Sequence, residues 1–478
     1  MKNVAIVGGG ISGITAALEL SQQPGVAVRL FDSAERLGGV LETVRTDRYL
    51  IERSADNFAT LIPDARLLSE RYGLLPQLIH PNTQGRQAFV YLNGRIHPIP
   101  AGFSLMQPTR IGSIITTRLL TWPGKLRLLG EYWVSPRPTV PDGQPDDESL
   151  ESFAVRRLGR EVFDRLVEPI VGGIFTADPK TLSMAATLPQ FLNMERTSGG
   201  LIRGYLRSKR EDAAAAARRA SGARYEQFMA PRDGMSAWID GLARHLPANS
   251  VSLNCRVVGL ALERQAGDSS WMVTTDRGSR QPFDGVILAT PASVTAKLLQ
   301  SVAPDAAAMV SEIPYASSAV VAMIVNRADI GARMDGFGVV VPSNQGRAAL
   351  AISYSSNKYP GRTPEGEVLL RVFLGGALRP DVVDWSDTDL QRTAVNDVRD
   401  ILAWKGSQPN WQAVIKWKNA MPQYLVGHVA KIQRLREQLD GLPSLQLCGA
   451  AYEGVGIPQC VRSARQAAER LLHCLDLG

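Results

Sequence analysis

Residues 4–20 read VAIVGGGISGITAALEL, and this stretch decides the fold. Val4–Val7 is a short apolar run with β-branched residues, the pattern of a buried parallel strand. A glycine turn follows, spaced Gly8-x-Gly10-x-x-Gly13, and residues 14–22 are good helix formers. Residues 26–31 (VAVRLF) give a second strand that ends at Asp32, nineteen residues beyond Gly13. In a βαβ unit each glycine has a task. The first permits the tight turn, the second lets backbone approach a pyrophosphate, and the third lets helix and strand pack closely. The free N–H groups of the helix N-terminus favour the pyrophosphate, and the acid suits ribose hydroxyls. A bare glycine spacing is a weak signal; strand, helix and acid in order make it a strong one.

Two further glycine clusters extend this reading. Asp32-Ser-Ala-Glu-Arg36-Leu-Gly38-Gly39 places an arginine beside a turn where backbone can pass close to a cofactor. Gly449-Ala-Ala-Tyr452-Glu453-Gly-Val455-Gly456-Ile457-Pro458 follows the strand pattern SLQLCG (444–449) and precedes a helix at 460–475. A second helix N-terminus of this kind favours negative charge on a ligand. In isolation each cluster is an ordinary surface turn; their order after the first motif makes them candidate cofactor elements.

The rest of the chain is ordinary globular material. Of its 478 residues 45% are hydrophobic and 21% charged, so disorder is excluded for most of the length. The formal net charge of +7 permits an anionic partner without choosing one, and no nucleic-acid module is present. Cys255, Cys448, Cys460 and Cys474 form no CxxC pair, and the five histidines are dispersed, so no metal site is expected. Neither a signal peptide nor an apolar run of spanning length is seen, and a cytoplasmic protein is expected.

Residues 81–100 (PNTQGRQAFVYLNGRIHPIP) read as a hairpin, a strand AFVYL turning at Asn93-Gly94 into RIHPIP. Residues 136–148 read as an exposed acidic loop, and 203–224 as a solvent-facing helix. Strand patterns fall at 251–262, 271–276 and 284–290, and again at 319–326, 337–341, 348–354 and 368–374, the last four typical of an antiparallel sheet. An amphipathic helix covers 388–404. The basic, apolar stretch 103–135, with Trp122, Tyr132 and Trp133, suits either a membrane-surface face or helical packing with a solvated rim.

Several segments together resemble the protoporphyrinogen oxidase and coproporphyrinogen III oxidase family, within the FAD-dependent amine oxidases and desaturases. They are the opening motif, ERLGGVLET (35–43) and GAAYEGVGIPQCVRSARQAAERLL (449–472). To these add AFVYLNGRIHPIP, RRLGREVFDRLVEPIVGGIFTADPKTLSM (156–184), PRDGMSAWIDGL, GVILATPASV, DGFGVVVPS and MPQYLVGH. The resemblance covers nearly the whole chain. YEGVGIP and VGGIFTADP are its most specific parts.

The fold it implies is α/β (α+β overall): a Rossmann-like FAD-binding domain, an antiparallel-sheet substrate domain and a helical insertion. The boundaries expected are 1–80, 225–293 and 430–478 for FAD; 81–100 and 294–429 for substrate; and 101–224 for the insertion. By resemblance, Gly8, Gly10, Ser12 and Gly13 hold the FAD pyrophosphate, Asp32 the adenosine ribose and Arg36 the phosphate region. Gly38 and Gly39 line the flavin, Val257 meets the adenine, and Gly449, Val455, Gly456 and Ile457 lie by the isoalloxazine. Gly173 points its carbonyl at the substrate, against which Phe337 and Val340 pack. Trp411 and Trp417 are weaker candidates for packing near the cofactor, and Tyr452 and Glu453 read as packing and loop residues.

The implied activity is six-electron oxidation of a porphyrinogen to a porphyrin in haem biosynthesis. The flavin N5 takes hydride, no side chain is assigned as catalytic, and O2 is the simplest final acceptor. Protoporphyrinogen IX is the first reading of the substrate and coproporphyrinogen III the alternative; another flavin amine oxidase or desaturase, or a non-catalytic FAD-binding protein, is a more distant one. Further candidate partners are a weakly held membrane surface and a second copy of the chain. Three departures from the family pattern stand out. Asp32 replaces the usual Glu; Arg48 and Ser54 stand where Gly is frequent; and Ala88 stands where animal-type members carry an arginine thought to hold a propionate. Arg86 and Arg95 are the candidates to replace it, unless the porphyrinogen is held differently.

Overall fold

A computed structural model describes residues 1–82, 87–138, 147–216, 228–265 and 268–476. The chain forms two compact units. One comprises Met1–Pro81, Tyr225–Pro314 and Ala430–Gly478, the other Asn82–Arg224 and Tyr315–Val429.

The first unit is built on a five-stranded parallel sheet. Its order is Val251–Ser252, Val26–Phe31, Lys2–Val7, Gly285–Leu288 and Leu445–Leu447. Val4 to Val7 are buried, which their unbroken apolar run requires in a sheet covered on both faces. The Ile11–Ser21 and Ile457–Cys474 helices share one core with this sheet, through Ile14, Ala17, Leu18, Ala464 and Ala468. An antiparallel three-stranded sheet of Val257–Gln265, Asp268–Thr275 and Arg280–Phe283 completes the unit's larger sheets. The strand expected at 251–262 is two strands, interrupted where Asn254 takes a left-handed φ of 48°.

The second unit holds a seven-stranded sheet. Its order is Trp411–Pro422, Tyr315–Asn326, Glu367–Gly375, Ala349–Tyr354, Gly336–Val340, Gln87–Leu92 and Arg95–Pro98. All neighbours are antiparallel except Gly336–Val340 beside Gln87–Leu92. The Asn93-Gly94 hairpin turn has φ of 51° and 77°, the left-handed pair that a two-residue turn needs.

Strand alternation splits the sheet's side chains between two cores. Phe89, Val339, Ile352, Val372 and Val321 face the amphipathic Asp387–Leu402 helix. Val90 and Leu92 face a helical layer formed by residues 103–201. Through that shared core the described residues of 101–216 fall in the same compact unit as the sheet. Likewise residues 294–314 belong to the first unit, because the Ala292–Leu299 and Pro304–Ser311 helices pack on each other.

The acidic stretch 136–148 also departs from expectation. Asp147 and Glu148 are buried, not solvated, while residues 139–146 lie outside the described residues. Asp147 Oδ2 accepts from Ser183 Oγ at 2.6 Å and Gly427 N at 2.9 Å. The helix expected at 203–224 runs Leu201–Ala216; residues 217–227 lie outside the described residues. It starts on Glu131, which accepts from Leu201 N (2.8 Å) and Ile202 N (3.0 Å) and pairs with the buried Arg157. The 103–135 stretch is partly packed and partly exposed. Leu119, Leu120 and Leu128 are buried, while Trp122, Leu126 and Trp133 are exposed. No helix among the described residues is long and apolar enough to cross a membrane.

Removing one partner of a buried ion pair strands a charge away from water, a loss of about 3–5 kcal/mol. Glu131→Ala should therefore lower folding stability by that amount in urea unfolding, and a loss under about 1 kcal/mol would contradict the arrangement.

Candidate cofactor cradle and substrate-facing residues

The glycine turn is dictated by contact. A Cβ on Gly13 would stand 1.7 Å from the Gly8 carbonyl oxygen, so the helix can start this close to the strand only with glycine there. Gly8 itself has φ +107°, and its Cβ would meet the Ala289 carbonyl oxygen at 2.6 Å. Gly10 is different. A Cβ there meets no protein atom within 4 Å, so its missing side chain leaves open space at the N-cap of the Ile11–Ser21 helix.

The second cluster folds onto the first. Gly38 N donates to Gly9 O at 2.8 Å, and a Cβ on Gly39 would lie 3.3 Å from Gly10 Cα. Arg36 fixes this loop: Nη1 donates to the carbonyls of Leu37 and Leu41, each at 3.0 Å, and Nη2 to Gly39 O at 2.8 Å and Glu42 Oε2 at 2.9 Å. The arginine expected to reach a phosphate thus spends both terminal nitrogens shaping the turn.

Asp32 is engaged in the same way. Its Oδ2 accepts from Gly9 N and its Oδ1 from Ala34 N at 2.7 Å. Each oxygen has a second lone pair for another donor. Cys255 N donates to Asp32 O at 2.8 Å and Asn254 N to Ala34 O at 2.8 Å, which carries the chain into Val257 from beside the acid.

The C-terminal cluster joins them through Ser12. Ser12 Oγ donates to Cys460 O at 3.3 Å and lies 3.8 Å from where a Gly449 Cβ would be. Gly456 is the N-cap of the Ile457–Cys474 helix. Neither this helix nor Ile11–Ser21 has a capping side chain or an acid in its first turn. Two uncapped, acid-free helix N-termini thus come together around glycines, an arrangement that favours an anion. Burial pushes the Cys460 thiol up to about 11 and the Cys448 thiol higher still, so neither is a thiolate near neutrality. Glu453 pairs with Arg436 instead of capping a helix, and Tyr452 is buried.

In the second unit the Glu168–Phe175 helix lies against the sheet. A Cβ on Gly173 would be 3.9 Å from Val340 Cγ1 and from Ala351 Cβ, so two of the three expected substrate residues are together. Phe337, half-buried, stands at the register shift between Gly336 and Gly338. Gly173 is in the last turn, where helix carbonyls lack intrahelical partners. Trp411 and Trp417 lie on an edge strand of the sheet. Arg86 lies outside the described residues, and Arg95 is exposed. Among the described residues no cluster of metal ligands occurs.

Sequence reasoning passed over Glu168. It is buried, accepts from Ser343 N at 3.3 Å, and has its carboxyl pushed up to about 7, chiefly by burial and slightly by Asp164, against the pull of the Ser343 donors. The π-helical turn Phe163–Val167 just before it, a feature frequent at functional sites, has no signature in residue composition.

The open space at Gly10, the two bare helix N-termini and Asp32 fit a dinucleotide with a pyrophosphate. The class they define is an FAD-dependent oxidoreductase. The model of the family described as flavin containing amine oxidoreductase matches residues 11–472. Coproporphyrinogen III oxidase of Bacillus subtilis (strain 168) is 30% identical over 478 residues, covering 98% of each chain. Human protoporphyrinogen oxidase is 32% identical over 496 residues, again covering 98% of each. A solved structure from Exiguobacterium sp. 255-15 superposes with a TM-score of 0.82 at 29% identity over 99% of each chain. The chain belongs to the flavin-containing amine oxidoreductases and, within them, to the protoporphyrinogen and coproporphyrinogen III oxidase family, with FAD as its cofactor.

Two glycine variants separate fold from cofactor. Gly10→Ala should cost at most about 1 kcal/mol, the N-cap preference, yet strip the purified protein of most of its flavin. Gly13→Ala should lose both flavin and stability, by about 3 kcal/mol or more, since backbone must move. Full flavin content in Gly10→Ala would contradict the cradle.

Glu168 gives a pH prediction. Its folded pKa lies above its unfolded one, so the folded state holds the extra proton. Stability is then greatest below about 4.5, falls as pH rises towards about 7, and is level above that. Glu168→Gln should flatten this slope and stabilise the protein at pH 8 by on the order of 2 kcal/mol in chemical denaturation. An unchanged slope would contradict a buried neutral carboxyl.

Proposed function

We propose that the protein oxidises a porphyrinogen to the corresponding porphyrin in haem biosynthesis, with protoporphyrinogen IX as substrate and O2 as the final electron acceptor. The observation that carries this reading is the pairing of an FAD-type cradle with family relatives that are porphyrinogen oxidases over 98% of the chain. Coproporphyrinogen III is the second reading, favoured by relatives from Bacillus subtilis, Staphylococcus aureus and Propionibacterium freudenreichii that carry that name at 30–31% identity.

FAD, when bound, supplies the two-electron acceptor; the protein supplies binding and orientation. Gly10, Ser12 and Gly13 would hold its pyrophosphate by backbone N–H groups; Gly8, whose N–H is spent on Phe31 O, would serve by shaping the turn, and Asp32 would accept from a ribose hydroxyl. Arg36 would act at one remove, by holding Gly38 and Gly39 in their positive-φ turn. Val257 would meet the adenine, and Gly449, Val455, Gly456 and Ile457 would place the second helix N-terminus beside the ring. In the sheet unit Gly173, Phe337 and Val340 would position the substrate. The Gly173 carbonyl, in the last helical turn, would accept a pyrrole N–H and so orient the bridging carbons. No side-chain base is assigned.

The test is a paired assay on the flavin-loaded protein, following porphyrin fluorescence and hydrogen peroxide with each porphyrinogen supplied separately. Three peroxides per porphyrin are expected, because six electrons leave in pairs. Faster turnover of protoporphyrinogen IX supports the first reading, and preference for coproporphyrinogen III replaces it with the second. Bound flavin without either activity would overturn both.

A further inference from the structure

The sheet face that carries Val340 is mainly apolar, and the register locates a buried polar pair on it. One row of cross-strand neighbours on this face runs Val90, Val340, Ala351, Phe373 and Val320. The Gly173 helix lies on this row. The adjacent row on the same face runs Ala88, Gly338, Ser353, Arg371 and Ala322. The rows are two residues apart along each strand, about 7 Å. Between them lies the row of Phe89, Val339, Ile352 and Val372, whose side chains point to the opposite core.

Arg371 and Ser353 are direct antiparallel partners, their Cα atoms about 5 Å apart. Arg371 is 2% exposed and Ser353 9%. The Ser353 hydroxyl has no hydrogen-bond partner among the described residues, although buried polar groups nearly always have one. The Arg371 guanidinium carbon lies 5.2 Å from the Phe373 ring centroid, which holds the cation against the neighbouring row. The rest of the row is small. Gly338 can carry no side chain, because its Cβ would stand 2.5 Å from Ile352 O, and Ala88 and Ala322 carry a single methyl each.

A planar cation and a hydroxyl, side by side on an apolar face, match one ligand group well. A carboxylate takes two parallel N–H donors from a guanidinium and one O–H from a serine, and exclusion of water strengthens all three. We propose that Arg371 and Ser353 hold a propionate of the substrate, about 7 Å along the strands from the Gly173–Val340 contact. The inference rests on the porphyrinogen reading and deepens it. It also moves the carboxylate-holding role three strands across the sheet from Ala88, the position at which the sequence resemblance had looked for an arginine. Both candidate substrates carry propionates, so this pair recognises what they share and does not choose between them.

The experiment compares the acid and an uncharged form of one substrate. KM and kcat are measured for the porphyrinogen that wild type turns over, and for the same molecule with its propionates converted to amides. Arg371→Gln should raise KM for the acid roughly 10–100-fold, and Ser353→Ala several-fold, with kcat little changed. Neither variant should alter KM for the amide. Arg371→Lys keeps the charge but loses the fork, and should fall between wild type and Arg371→Gln. If Arg371→Gln does not accumulate folded, Ser353→Ala decides, since its hydroxyl makes no protein contact that folding would miss. Equal effects on acid and amide, or an unchanged acid KM in Ser353→Ala, would overturn the assignment. Failure of wild type to oxidise any porphyrinogen would instead overturn the functional reading beneath it.

Discussion

Everything in the first unit depends on the approach of the first helix to the first strand, which leaves no room for a Cβ on Gly13. That contact sets where the helix begins. The start of the helix fixes Gly10 at its N-cap, and the gap at Gly10 is what allows an anion to reach the helix N–H groups. The later glycine clusters are then folded onto the same point, through Gly38 N on Gly9 O and Ser12 Oγ on Cys460 O. A chain more than four hundred residues long is thereby closed on its own first turn.

The side chains around the turn hold it before they hold a ligand. Asp32 grips Gly9 N and Ala34 N with its two oxygens, and Arg36 grips four acceptors across residues 37–42. Asp is one methylene shorter than the Glu usual in the family, and here it reaches the glycine backbone directly. Charge is thus used to preorganise the loop, which lowers the ordering that a cofactor would otherwise impose. In the second unit the sheet plays the corresponding part. Strict alternation sends one set of rows to the Asp387–Leu402 helix and leaves the other face for the Gly173 helix, Val340 and the Arg371–Ser353 pair.

Much of this was legible in the residues. The parallel strand at Val4–Val7, the acid at position 32 and the Asn93-Gly94 turn follow from local chemistry, because each is set by neighbours close in sequence. The amphipathic helix near 388–404 follows from its period. What sequence did not show are relations between distant segments. Asp147 and Glu148 read as solvated acids, yet Ser183 and Gly427 bury the first of them. Arg36 read as a phosphate ligand because its type and position suit one; its use by four local acceptors is visible only in three dimensions. Arg371 and Ser353 lie eighteen residues apart among ordinary strand residues, and only the register makes them partners.

The central claim is that the cradle binds FAD in a chain that oxidises a porphyrinogen, and the most direct measurement is made without oxygen. The purified yellow protein is mixed anaerobically with one equivalent of porphyrinogen, and the flavin absorbance is followed in a stopped-flow instrument. The account predicts bleaching of the oxidised flavin band, with colour restored when air is admitted and porphyrin appearing on repeated cycles. A flavin band that stays oxidised with both porphyrinogens, yet bleaches with dithionite, would contradict it.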